Sequence, residues 1–145
     1  MTPATSVAPA TLAKPVPPSA GAFEVSFIPD KARVRQMRTI TTAFLRKWDV
    51  SGPLAECIVL AVSELVTNAV QHGYGEVGLR VRYVAGELRI EVSDGNPQPA
   101  ELRSADDDDE SGRGMFLVAF FSKDWGVSED GTTTWAAFRV PMGRA

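Results

Sequence analysis

The sequence predicts an α+β fold: a two-layer sandwich with a mostly antiparallel sheet and helices on one face. Three observations predict it. Apolar residues alternate with period two at 23–27, 77–83, 88–92, 125–128 and 132–140. Apolar residues recur at helical spacing over 34–48 and 54–72. The resulting order, β-α-α-β-β-loop-α-β-β, joins successive strands by short turns, which only antiparallel neighbours allow. The 145 residues, 44% hydrophobic and 23% charged, are enough for one domain with its own core.

The first 22 residues differ from the rest. Pro3, Pro9, Pro15, Pro17 and Pro18 lie among small residues, with Lys14 the only charged side chain. Such a stretch offers little apolar bulk against the entropy of ordering, so a disordered tail over 1–22 is expected, with the domain at 23–142. The tail lacks the basic start and continuous apolar segment of a signal peptide. Phe23, Val25 and Phe27 then alternate with Glu24 and Ser26 as a strand.

Asp30 is placed to cap the first helix. Val34, Met37, Thr41, Phe44, Leu45 and Trp48 give its apolar side, while Arg33, Arg35, Arg38, Arg46 and Lys47 make the remainder basic. That basic surface reads as a solvated face or as a partner face. Ser51-Gly52-Pro53 ends the helix. A second helix follows over 54–72, with Ile58, Ala61, Val62, Leu65 and Ala69 in one stripe and Gly73 as its stop. Two hairpins turn at Ala85-Gly86 and Asp130-Gly131. Between them, 94–114 reads as a long loop holding five consecutive acids, Asp106 to Glu110, before a short helix at 115–121.

Composition excludes several functions. Cys57 and His72 are the only cysteine and histidine, so no intrachain disulfide and no Cys-based zinc cluster can form. The net charge of −3 gives no global basic field for nucleic acid or an anionic membrane. No uninterrupted apolar run approaches the ~20 residues of a membrane span. Gly73-Tyr74-Gly75-Glu76-Val77-Gly78 matches a dinucleotide-binding string, but it leaves a helix and enters a strand, the reverse of the required context.

Three motifs can carry chemistry. Glu64, Asn68 and His72 stand four residues apart and share one side of the second helix. By spacing alone they are equally a solvated polar face. Asp94 ends a strand, where a carboxylate caps a turn or accepts from an exocyclic amine. Gly112-Arg113-Gly114 precedes a short helix, and such a loop can turn backbone N–H groups toward phosphate or simply be flexible.

Taken together, these motifs resemble the GHKL (Bergerat-fold) ATP-binding superfamily. Glu64-Leu65-Val66-Thr67-Asn68-Ala69 resembles its N box. Asp94-Gly95-Asn96 resembles its first glycine box, with Asn96 where glycine is usual. Gly112-Arg113-Gly114 resembles its second, and Thr133 before Trp135 the threonine of its last strands. The chain is most similar to the small bacterial anti-sigma factor serine/threonine kinases.

The resemblance implies a Bergerat-type sandwich that binds ATP and Mg²⁺. It implies Glu64 as general base, Asn68 as metal ligand and Asp94 as acceptor for the adenine amino group. Asn96 would stand in the same turn. Gly112, Arg113 and Gly114 would meet phosphate, and Thr133 would lie near the base. It further implies a cytoplasmic kinase that phosphorylates an anti-sigma-antagonist-type protein and binds a sigma factor. It implies no direct contact with nucleic acid or membrane and leaves room for a homodimer. The alternative is a catalytically weak, nucleotide-dependent module that sequesters a regulatory partner.

Overall fold

The computed structural model describes residues 20–72, 75–94 and 118–141. The elements are β1 (Ala20–Phe27), α1 (Lys31–Lys47), α2 (Gly52–His72), β2 (Val77–Val84), β3 (Glu87–Ser93), β4 (Asp124–Val127) and β5 (Thr133–Arg139). Residues 118–121 form one further helical turn. The strands make a single sheet in the order β1-β2-β3-β5-β4, with every neighbouring pair antiparallel.

Local chemistry sets most of the boundaries. Asp30 caps α1 as its spacing predicts, its Oδ1 accepting from the Ala32 N–H at 3.0 Å. Arg46 and Lys47 occupy the last turn, where cations suit the helix dipole. Ala85 and Gly86, with φ of 50° and 83°, form the left-handed pair that a tight hairpin turn requires. Strand β1 departs from expectation. It begins at Ala20, because Ala20, Gly21 and Ala22 pair with Val84, Tyr83 and Arg82. The sheet therefore takes in the last three residues assigned to the tail; the tail before residue 20 lies outside the described residues. Small side chains carry no alternation, so this extension left no trace in the pattern.

The apolar stripe of α2 packs on β2, β3 and β5, burying Ile58, Val62, Leu65 and Val66 against Leu79, Leu88 and Ile90. By length and composition α2 would also suffice to cross a membrane, which corrects the reading that no segment does. In this fold its stripe is core. Helix α1 lies along α2 and closes the β1 side with an aromatic cluster. Phe23 stacks on Phe44 with centroids 4.6 Å apart, and Trp48 meets Tyr83 at 5.6 Å. A Cβ on Gly21 would sit 2.5 Å from Trp48 Nε1, so glycine is what lets the indole lie on β1.

Register divides the molecule into two poles. Helix α2 ends at His72 and β2 begins at Val77. The start of β2 pairs with the end of β3 through Gly78 and Ser93, and Ser93 pairs with Thr133 at the start of β5. The end of α2, the end of β3 and the start of β5 thus share one pole. The 85–86 turn, Trp48 and the start of β1 share the other. Val140 joins them there, its N–H donating to the Gly86 carbonyl at 2.8 Å.

Candidate functional site

Helix geometry decides where the α2 motif faces. Each residue advances about 100° around the axis. Ser63, roughly 130° from the middle of the apolar stripe, faces α1 and accepts from Arg38 Nη1 at 3.2 Å. Glu64 and Asn68 lie on the opposite flank, with Asn68 roughly 90° from the stripe. They therefore look away from α1, and both are half-buried. His72 continues the same flank at the helix end and is exposed.

Asp94 lies at the pole reached by the C-terminal end of α2. Its N–H donates to the Thr132 carbonyl at 3.0 Å, so the β3–β5 ladder runs one residue past the strand. Alternation carries Asp94 to the face of Val92, the face covered by α2. There it is half-buried. Glu64, His72 and Asp94 each have a partner within the fold. The structure thus brings a carboxylate and a carboxamide on α2 to the same layer and pole as a carboxylate ending β3.

Thr133 is not brought into that group. It pairs with Ser93 and alternates with Thr134, so it shares a face with Trp135. Trp135 is on the open side of the sheet, under the Arg89 guanidinium. Thr134 pairs with Val92 and shares the helix-covered face with Ala136 and Phe138. Thr134 is thus the hydroxyl that the register puts on the helix-covered face, a residue the sequence reading did not single out. In the run Thr132-Thr133-Thr134 only the register tells one from the next. Thr132 is committed elsewhere: its N–H and Oγ1 donate to Asp130 Oδ1 at 3.1 and 2.9 Å. Those bonds, after that from Ser128, hold the Asp130 carboxyl below its ordinary range. Asn96, Gly112, Arg113 and Gly114 lie outside the described residues.

The donor set bears on which cation fits. Among the described residues, no three His, Cys, Asp or Glu side chains cluster to hold a metal. One hard amide oxygen on Asn68, one turn from Glu64, suits Mg²⁺, which keeps most of its shell for water and phosphate oxygens. A half-buried carboxylate at Asp94 suits an exocyclic amine as donor. These residues fit a magnesium nucleotide. Two clefts of about 430 and 390 Å³ lie at the other pole, beside Val50 and Ser51, and share no residue with this group.

Comparison with known proteins bears on the family of the chain. The family model for the histidine kinase-like ATPase domain matches residues 27–138. No curated protein matches the chain. Among solved structures, it is similar to the histidine kinase domain of the Erythrobacter litoralis EL346 blue-light activated histidine kinase. That match has 24% identity and a TM-score of 0.46, and covers 77% of this chain and 60% of that one. The present chain thus spans less than two thirds of that domain's length. The family match runs from the last residue of β1 almost to the end of β5, over a five-stranded antiparallel sheet with helices packed on it as in the Bergerat fold. The chain belongs to the histidine kinase-like ATPase domain family.

Proposed function

We propose that this domain is an ATP-dependent serine/threonine protein kinase acting on an anti-sigma-antagonist-type protein, and that it also binds a sigma factor. The observation that carries the reading is the placement of Glu64 and Asn68 on the flank of α2 turned away from α1, at the pole where β3 ends in Asp94. Family membership supports ATP as the nucleotide, usually with Mg²⁺. The serine/threonine specificity and both partners rest on the motif resemblance.

In this reading each residue has one task. Asp94 accepts a hydrogen bond from the adenine amino group and so discriminates against guanine, which presents a carbonyl there. Asn68 offers its amide oxygen to Mg²⁺, which when bound neutralises charge on the phosphates. Glu64 takes the proton of the attacking serine or threonine hydroxyl as the hydroxyl oxygen bonds to the γ-phosphorus of ATP and the bond from that phosphorus to the bridging oxygen breaks, releasing ADP. Thr134 adds a hydroxyl on the nucleotide side of β5, the place first assigned to Thr133.

The test separates the kinase from a nucleotide-dependent module that sequesters a partner. Purified protein is incubated with ATP, Mg²⁺ and candidate antagonist proteins, and phosphoserine or phosphothreonine is read by mass spectrometry. The kinase should transfer phosphate. Glu64→Gln should bind ATP almost as well and transfer about 10²–10⁴ times more slowly. Asn68→Ala should lose both Mg²⁺-dependent binding and transfer. Transfer by Glu64→Gln at the wild-type rate would remove the general-base role. Absence of transfer to every candidate, with nucleotide still altering partner affinity, would favour the module.

A further inference from the structure

The helices cover one face of the sheet. On the other face, arginines gather where β2 meets β3. Arg82 and Arg89 stand directly opposite each other in the register. Like charges in that position destabilise a sheet. The only carboxylate within ion-pair distance of either, among the described residues, is Glu91. It lies 3.7 Å from Arg82 Nη2 and 2.9 Å from Arg89 Nε, and Arg80 also claims it, at 3.5 Å. Three guanidinium groups thus converge on Glu91, with Arg80 also 3.6 Å from Glu24, and the side chains of Arg82 and Arg89 remain 49% and 33% exposed.

The pair is held in place and left open. Arg89 is fixed by its Nε–Glu91 bond and by stacking, with its Cζ 4.2 Å from the centre of the Trp135 ring. In the row across the sheet, Ala22 pairs with Arg82 and Ala137 with Arg89. Alanines therefore flank the two arginines along this row. Oriented guanidinium edges match the two oxygens of a carboxylate.

We propose that the Arg82–Arg89 pair on the open sheet face is a docking point for an acidic, carboxylate-bearing segment of a partner protein. Charge complementarity selects this occupant. A partner carboxylate would relieve a repulsion that Glu91 offsets only in part. Nucleic acid fits less well, because the nearby aromatic face of Trp135, on which a base would stack, is already taken by Arg89. The site does not depend on the proposed kinase activity. It lies two residues from the end of β2, toward the pole opposite Asp94.

The test uses the full chain and a fluorescein-labelled hexaglutamate peptide, read by fluorescence anisotropy at low and at physiological salt. Arg82→Gln and Arg89→Gln should each weaken binding at least five-fold. Arg82 makes no ring contact among the described residues, so its variant should not lower the melting temperature and should keep the ATP affinity. Glu91→Gln removes the competing carboxylate and should tighten binding several-fold. Unchanged affinity in both arginine variants overturns the proposal, as does weaker binding in Glu91→Gln. Tighter binding of hexathymidylate through the same arginines would also overturn it, in favour of a phosphate polymer.

Discussion

At Thr41 the protein carries a cost that one substitution should remove. Thr39 and Thr42, on the exposed side of α1, return their hydroxyls to the carbonyls of Arg35 and Arg38. Thr41 is fully buried, and its Oγ1 has no hydrogen-bond partner among the described residues. A buried unsatisfied hydroxyl costs about 1–3 kcal/mol. Thr41→Val keeps the shape, so the urea midpoint should rise by the equivalent of about 1 kcal/mol; a lower midpoint would mean that the hydroxyl has a partner in solution. In the proposed function Asp94 has the opposite character, since its value there lies in a ligand. A charge-assisted hydrogen bond is worth about 1.5–3 kcal/mol, so Asp94→Ala should weaken ATP binding about ten- to a hundred-fold by calorimetry. The wild type should prefer ATP to GTP, and equal affinities would remove Asp94 from the base site. Asp94 was legible in the sequence because it ends a clean alternation. Thr134 was not, because three consecutive threonines give one pattern in either register.

Among the elements, the hairpin of β4 and β5 should respond to acid. Asp130 accepts from Ser128 Oγ at 2.7 Å and from Thr132 N at 3.1 Å, closing the turn that carries Gly131 at φ 78°. Its carboxyl is held below the ordinary value by those donors, Ser128 first. The charged form is therefore favoured by folding. Its contribution is complete above the ordinary carboxylate pKa of about 3.9 and is lost as pH falls through the lowered value. Asp130→Ala should flatten the stability curve below about pH 4; an acid limb as steep as in the wild type would place the titration elsewhere. Elements with strong periodicity or punctuation were readable in advance: α1 from Asp30, α2 from its stripe, and both hairpins from Ala85-Gly86 and Asp130-Gly131. The opening of β1 was not. Its ordering comes from Val84, Tyr83 and Arg82, about sixty residues away, and from the Gly21 backbone lying against Trp48.

On the scale of the whole molecule, that opening decides where the domain can be cut. A chain beginning at Ser19 should melt at the full-length temperature. One beginning at Phe23 loses three ladder pairs and the floor under Trp48, and should melt several degrees lower by calorimetry. Equal melting temperatures would show that the strand begins at Phe23. The two poles have a wider consequence. Ala20 and Val140 both lie at the pole away from Asp94, on β1 and just beyond β5. Three strand spacings separate them, roughly 14 Å. A linker of about six residues spans that gap. The chain could then be rejoined end to end there and reopened at residues 49–51, between α1 and α2, at that same pole. In such a rethreaded protein the described residues at the pole of Asp94 would keep every neighbour they have now.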